Sequence, residues 1–172
     1  MSSVDVYISE ERIRSRIREL GKIITEQYKG EELFVVAVLN GSFMFCADLI
    51  REIKCPVILE FVGASSYGEG TESSGNVKIT MDLKRDIAGK NVLVVEDIVD
   101  TGLTLSNLLE VFKSRKPKSL KLASLLFKPA RLKHKVPIDY LGFEIEDKFV
   151  IGYGLDYAGK YRELPYIGVY KG

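Results

Sequence analysis

The sequence has few of the residues that carry thiol, disulfide or metal-thiolate chemistry. Its 172 residues include two cysteines, one histidine and no tryptophan. Two cysteines as far apart as Cys46 and Cys55 cannot build a disulfide framework or a zinc site, so both are expected to be inert thiols in or near the core. His134 stands in the charged run 131–135 and is expected to be a solvated loop residue rather than a ligand or base.

The sequence also lacks an excess of either charge and any long apolar run. Lys plus Arg number 25 against 24 Asp plus Glu, a net charge of +1, which argues against general nucleic-acid binding. No apolar stretch approaches the length of a membrane span, and charges interrupt the N-terminal residues where a signal peptide needs an apolar core. We therefore expect a soluble cytoplasmic protein with small-molecule partners, no nucleic acid and no membrane. A hydrophobic content of 46% is enough for the core of one domain, residues 1–172.

The hydrophobic pattern predicts helices and strands in alternation. Ser9 followed by Glu10 and Glu11 predicts the start of an amphipathic helix that ends near Gly30. After this helix, short apolar runs predict six strands. They lie at residues 33–39, 56–63, 77–81, 92–95, 120–127 and 137–143. This alternation implies a right-handed parallel α/β sheet whose ligand lies at the carboxyl ends of the strands.

Residues 91–106 hold the strongest functional signal. The apolar run 92–95 predicts a buried parallel strand, and Glu96, Asp97 and Asp100 follow it within five residues. Three carboxylates at the end of a buried strand are costly unless a cation or strong donors meet them. Thr101, Gly102 and Thr104 then open a helix, where free N–H groups and the helix dipole favour a phosphate. A cation site and a phosphate site are therefore expected side by side.

The segment VLVVEDIVDTGLTL resembles the 5-phosphoribosyl 1-pyrophosphate signature of the type I phosphoribosyltransferases; an acidic surface turn is the alternative interpretation. The resemblance implies that the acids hold the ribose hydroxyls or a metal and that the following loop fixes the 5-phosphate. The implied phosphoribosyl-binding residues are Glu96, Asp97, Ile98, Val99, Asp100, Thr101, Gly102, Leu103 and Thr104.

A second strand-to-helix turn, VLNGSFMF, resembles the first active-site loop of the 6-oxopurine phosphoribosyltransferases. The resemblance implies pyrophosphate binding by Asn40 and Gly41 and a cis peptide bond between Leu39 and Asn40. A plain strand-to-helix turn is the alternative. The family usually has Lys or Arg where Asn40 stands. Because an amide cannot neutralise pyrophosphate, metal and the family-matching Arg162 are expected to carry more of that charge.

Three further segments resemble parts of the same family. Ser66 and Tyr67 match the Ser-Tyr pair of a long loop that closes over the reacting centre, although a flexible linker without a role is the alternative. Lys128, at the end of a strand, matches the lysine that donates to the 6-oxygen of the purine. The segment DKFVIGYGLDY resembles the purine-recognition stretch, with Lys148, stacking by Phe149, backbone contacts from Val150, and Asp156 bound to the magnesium of pyrophosphate.

The resemblance implies a three-layer α/β fold, a central parallel sheet flanked by helices with a small hood from the terminal segments, in a single phosphoribosyltransferase domain. It implies magnesium-dependent transfer of a phosphoribosyl group to hypoxanthine or guanine in purine salvage, with Asp100 as general base and a homodimeric or homotetrameric state. The metal ligands would be Glu96, Asp97 and Asp156. A xanthine- or pyrimidine-preferring enzyme, or a nucleotide-sensing regulator without catalysis, are the alternatives.

Overall fold

A six-stranded sheet forms the centre of the protein in a computed structural model that describes residues 3–66 and 77–172. Its strand order is β4-β3-β2-β5-β6-β7. The strands are β2 (Leu33–Leu39), β3 (Val57–Ser66), β4 (Val77–Met81), β5 (Asn91–Val99), β6 (Ser119–Phe127) and β7 (Tyr140–Glu144). Five of them are parallel, and the edge strand β4 pairs antiparallel with β3. The expected parallel sheet is therefore a mixed one.

Helices cover both faces of this sheet. They are α1 (Glu10–Gln27), α2 (Phe43–Glu52) and α3 (Leu103–Ser114), and a short 3₁₀-helix spans Pro129–Arg131. The side chains of β5 alternate between two cores: Leu93 and Val95 pack with α1 and α2, whereas Val92 and Val94 pack with α3. A strand buried on both faces needs apolar residues at every position, which explains the continuous apolar run. The three-layer architecture is confirmed.

The terminal segments form a second, smaller sheet. Strands β1 (Val4–Ile8), β9 (Ile167–Tyr170) and β8 (Val150–Ile151) pair in the order β1-β9-β8, antiparallel throughout. This sheet is the expected hood. The purine-recognition candidate Val150 lies within it, so the two chain ends meet beside a predicted binding segment.

Element boundaries mostly follow the local sequence signals. Ser9 caps α1 as expected, its hydroxyl accepting from the Arg12 N–H at 3.2 Å. The central strand is longer than predicted: β5 runs to Val99, so Glu96 and Asp97 lie inside it rather than beyond it. Hydrogen bonding to β6 as far as Val99 keeps this segment extended.

In the described ranges, no helix is long and apolar enough to span a membrane.

Candidate active site

Three groups of candidate residues lie at the carboxyl edge of adjacent strands. β2 ends at Leu39 before Asn40, β5 ends at Val99 before Asp100, and β6 ends at Phe127 before Lys128. Since β2, β5 and β6 are neighbours in the sheet, residues far apart in sequence meet at one edge. This edge is where ligands bind in open α/β sheets.

The loop between β5 and α3 surrounds a cavity of about 150 Å³. Gly102 caps α3 with a left-handed φ of 84°. A side chain at this position would be doubly unfavourable, because a Cβ would also lie 2.3 Å from the backbone oxygen of His134. The first N–H groups of α3 have no acceptor within the helix, and the residues that carry them line the cavity. The cavity is lined by Glu96, Ile98, Val99, Asp100, Thr101, Gly102, Leu103, Thr104 and Leu105.

The two acids of β5 lie close together and carry an electrostatic cost. The Glu96 carboxylate accepts from the Asp97 N–H at 2.9 Å, and Asp97 accepts from the Ile98 N–H at 2.7 Å. Burial raises the pKa of the Glu96 carboxyl well above its usual range, and the adjacent Asp97 carboxylate raises it further. A bound cation would relieve both effects, which is the situation that the sequence predicts for this edge.

The Asn40–Gly41 turn packs directly against Asp97. A Cβ built on Gly41 would lie 1.7 Å from Asp97 Oδ2, so only glycine allows this approach. The peptide bond between Leu39 and Asn40 is cis, which confirms the expectation, and the Asn40 side chain is exposed. On the other side, a Cβ on Gly154 would lie 2.2 Å from the Gly41 oxygen. The turn is therefore held between β5 and the segment that follows β8.

Asp156 and Arg162 lie on that following segment and contact each other. Their carboxylate and guanidinium are 3.3 Å apart, and Arg162 Nη1 also donates to the Gly154 carbonyl at 2.6 Å. Asp156 accepts a further bond from the Gly159 N–H at 2.8 Å. Because Gly154 abuts Gly41, this pair belongs to the same neighbourhood as the predicted pyrophosphate turn.

The candidate metal ligands do not form a preformed cage. Among residues 3–66 and 77–172, no group of three or more His, Cys, Asp and Glu side chains comes together in a metal-binding arrangement. Glu96 and Asp97 nevertheless fit Mg²⁺, which commonly uses one or two carboxylates and takes its other ligands from substrate oxygens and water. Asp156 lies near the Asn40–Gly41 turn, through its pair with Arg162 and the contact of Gly154 with Gly41.

Lys128 meets the candidate purine segment through Asp147, the residue before Lys148. This lysine is only 7% exposed, and its ammonium lies 3.8 Å from the Asp147 carboxylate. Lysine is rarely buried unless it is paired, so its position supports more than a solvent contact. Phe149 is 51% exposed, with the Tyr157 and Tyr170 rings near-perpendicular to it at 5.7 and 6.3 Å. The Lys148 ammonium instead lies 5.0 Å from the centre of the Tyr7 ring.

The structure adds two charged residues that the sequence did not single out. Arg131 Nε donates to Asp100 Oδ1 at 2.5 Å, and Arg131 Nη1 lies 3.9 Å from Asp147 Oδ2. The sequence pattern indicated only a solvated charged run for Arg131. The one sequence feature that could have indicated a role for Arg131 is its position three residues after Lys128, with Pro129 between them.

Of the two residues predicted to belong to the closing loop, Ser66 is the last residue of β3, and Tyr67 lies outside the described residues.

A larger cavity of about 470 Å³ lies elsewhere, between α1, α2 and the region of Tyr153. Its wall mixes arginines such as Arg14 and Arg18 with carboxylates such as Asp48 and Glu163. The Tyr153 hydroxyl donates to Asp48 in this wall. The cavity contains none of the sequence-predicted site residues, and size alone does not favour it over the strand edge.

Replacing Glu96 with glutamine should stabilise the metal-free protein. A raised pKa means that ionising Glu96 costs more in the folded than in the unfolded chain, so wild-type stability falls as pH rises from about 4.3 towards the raised value. The free energy of unfolding of Glu96→Gln should therefore exceed that of wild type by an amount that grows over this pH range. The increase is about 1.4 kcal/mol for each unit by which the pKa is raised, and it stays constant at higher pH. Thermal unfolding in EDTA from pH 4 to 8 measures it. A variant less stable than wild type at pH 8 contradicts the electrostatic account.

The chain is similar to known proteins over almost its whole length. A family model described as the phosphoribosyl transferase domain matches residues 4–158. Hypoxanthine phosphoribosyltransferase of Salmonella typhimurium is 52% identical over 168 residues, covering 96% of this chain and 94% of the relative. Hypoxanthine-guanine phosphoribosyltransferase of Bacillus subtilis is 49% identical, covering 96% and 92%. A crystal structure of the hypoxanthine-guanine enzyme from Bacillus anthracis superimposes with a TM-score of 0.92 at 51% identity, covering 96% and 97%.

Proposed function

The chain belongs to the phosphoribosyl transferase family, and we propose from this premise that it transfers a 5-phosphoribosyl group to hypoxanthine, and also to guanine, in purine salvage. The donor is 5-phosphoribosyl 1-pyrophosphate. The bond from the ribose anomeric carbon to pyrophosphate breaks, and a bond from that carbon to a ring nitrogen of the purine forms. The observation that carries the proposal is that three features meet at one sheet edge: the acidic strand β5, the loop of residues 100–104 that leads into α3, and the buried Lys128. We call residues 100–104 the phosphate loop.

The phosphate loop supports binding of the donor's 5-phosphate. Thr101 and Thr104 offer hydroxyls, while Gly102 allows the tight entry into α3. The N–H groups of the first helical turn, including that of Leu103, bring partial positive charge to the phosphate oxygens. Because these donors are fixed by the fold, the phosphoribosyl group would be held without the chain having to reorganise.

Glu96 and Asp97 would hold the ribose hydroxyls or a Mg²⁺ ion, and Asp156 a Mg²⁺ on pyrophosphate. When bound, the metal would offset the charge of the leaving pyrophosphate. The two β5 carboxylates would also stabilise positive charge that develops on the sugar. Asn40, Gly41 and Arg162 complete the proposed pyrophosphate site, with the Arg162 guanidinium as its cation.

The purine would lie between Phe149 and the end of β6. The exposed Phe149 ring offers a stacking face, the Lys128 ammonium would donate to the 6-oxygen, and backbone groups near Lys148 and Val150 would read the purine edge. Asp100 would accept the proton from the ring nitrogen as the new glycosidic bond forms. A donor at the 6-oxygen favours oxopurines over adenine, because adenine carries an amino donor there.

One assay tests this function. The protein is incubated with 5-phosphoribosyl 1-pyrophosphate, MgCl₂ and one base at a time: hypoxanthine, guanine, xanthine, adenine or uracil. Chromatography should reveal IMP and GMP, with no nucleotide in a parallel reaction containing EDTA. Product with xanthine or uracil alone would favour a different base preference. Binding of the donor without product from any base would favour a nucleotide-sensing regulator.

We further propose that the protein acts in the cytoplasm as a homodimer or homotetramer, as its family membership suggests. Sedimentation equilibrium over a range of protein concentrations tests the oligomeric state. A single 19.3 kDa species at all concentrations would contradict it.

Replacing Asn40 with lysine should tighten pyrophosphate binding. The Asn40 side chain is exposed at the proposed pyrophosphate turn and carries no charge. An exposed ion pair is worth about 0.2–1 kcal/mol, so affinity should rise by up to about fivefold and less at high salt. Isothermal calorimetry with magnesium pyrophosphate measures this. Asn107→Lys on α3, which adds the same charge outside the turn, should leave the affinity unchanged. Equal affinities for wild type and Asn40→Lys would reject the charge explanation.

A further inference from the structure

A chain of four charged side chains connects the phosphate loop to the purine segment. Arg131 donates from Nε to Asp100 Oδ1 at 2.5 Å, and its Nη1 lies 3.9 Å from Asp147 Oδ2. The other oxygen of Asp147 lies 3.8 Å from Lys128 Nζ. Arg131 is thus hydrogen-bonded to a carboxylate from the loop after β5 and lies within ion-pair distance of a second carboxylate from the loop after β7.

The backbone explains why these side chains meet. Lys128 caps the start of the short 3₁₀-helix and Arg131 is its last residue, so only three positions separate the two side chains that approach Asp147. The segment is attached to the phosphate loop, because the Lys128 N–H donates to the Val99 oxygen at 3.0 Å. The N–H groups of Lys133 and His134 both donate to the Thr101 oxygen at 2.9 Å. Arg131 is therefore carried on a segment fixed to both sides of Asp100.

We propose that Arg131 is a positioning residue that orients the Asp100 carboxylate towards the purine, a role that rests on the proposed function. The guanidinium is planar and its donors are fixed relative to one another, so contacts with two carboxylates define where it lies. Held through Oδ1, the Asp100 carboxylate keeps its orientation, and Oδ2 serves the proton of the purine ring nitrogen. Asp147 acts as the second anchor of Arg131 and also fixes Lys128, so base and donor are aligned by one connected group.

The solvent exposure of the Arg131–Asp100 pair indicates that its role is to position Asp100 rather than to stabilise the fold. The side chains of Arg131 and Asp100 are 46% and 42% exposed, and ion pairs in that environment contribute little to folding. Orientation of a reacting group matters more, since a displacement of about 1 Å can cost about 100-fold in rate. Loss of the Arg131 contact should therefore affect turnover rather than the melting temperature.

A double-mutant cycle tests this role. Arg131→Gln should lower kcat by about 10- to 100-fold, with a much smaller change in the KM for the phosphoribosyl donor. Arg131→Lys, which keeps the charge but not the planar geometry, should recover only part of the loss. In an Asp100→Asn background, Arg131→Gln should have no further effect, because Arg131 acts through Asp100.

A matched control exists on the far end of α3. Arg115 forms a partly exposed pair with Asp82, with both nitrogen–oxygen distances at 2.8 Å, so Arg115→Gln removes an arginine–aspartate pair away from the site. Its kcat should equal that of wild type. The inference is overturned if Arg131→Gln leaves kcat unchanged, or if it costs the same factor with and without Asp100. An inactive wild-type protein would overturn the proposed function, and this inference with it.

Discussion

Replacing Asp100 with asparagine should lower kcat by about 10²–10⁴-fold while leaving binding of the phosphoribosyl donor nearly intact. This range is typical for removal of a general base. The amide of asparagine keeps nearly the same shape, so the backbone of the phosphate loop and the cavity beside it should be preserved. What the variant would lose is the proposed ability of Asp100 to accept the proton from the purine ring nitrogen.

The measurement separates chemistry from binding. Steady-state kinetics give kcat with saturating hypoxanthine, and calorimetry gives the affinity for the donor. Asp82→Asn is the matched control, because Asp82 is also paired with an arginine at the protein surface but lies outside the proposed site. An Asp100→Asn variant with wild-type kcat, or one whose loss is entirely in donor affinity, would show that Asp100 is not the base.

Replacing Gly41 with alanine should lower kcat/KM for the donor by about 100-fold. The added methyl carbon would lie 1.7 Å from Asp97 Oδ2 and 2.7 Å from Asp97 Cγ, so the carboxylate has to move. Asp97 is a proposed ligand for the ribose hydroxyls or the metal, and a displacement of about 1 Å costs about this factor. The turn itself has little room to yield, because Gly154 packs against the Gly41 carbonyl.

A second glycine provides the control for this variant. Gly30 follows α1 with a φ of 78°, and a Cβ at that position would meet nothing within 4 Å. Gly30→Ala should therefore cost only the left-handed backbone penalty, about 1 kcal/mol, with full activity. If Gly41→Ala retains the kcat/KM of Gly30→Ala, the close approach to Asp97 has no part in catalysis.

The local sequence pattern was sufficient for most of the elements. Strand β4 has the predicted bounds, 77–81, and β2 has the predicted bounds, 33–39, because an apolar run ended by turn residues depends on neighbouring positions alone. The helix start at Ser9 followed from its cap for the same reason. The functional motifs were also local: the acids of β5 and the loop into α3 adjoin in sequence, so a chemistry could be proposed for them before any packing was known.

Pairings between distant segments were harder to predict from the sequence. The antiparallel direction of β4 and the continuation of β5 through Glu96 and Asp97 depend on neighbouring strands rather than on their own residues. The hood joins Val4 to Tyr170, at opposite ends of the chain, and only the family resemblance indicated it.

The sequence by itself determined the alternation of strands and helices, the acidic strand with its phosphate loop, and through them the family. Tertiary structure alone decided that Arg131 pairs with Asp100, that Gly41 touches Asp97, and that Asp147 meets Lys128. Periodicity and capping are encoded within a few residues. Contacts between side chains on separate loops depend instead on how the sheet brings its strand ends together, which no short segment specifies.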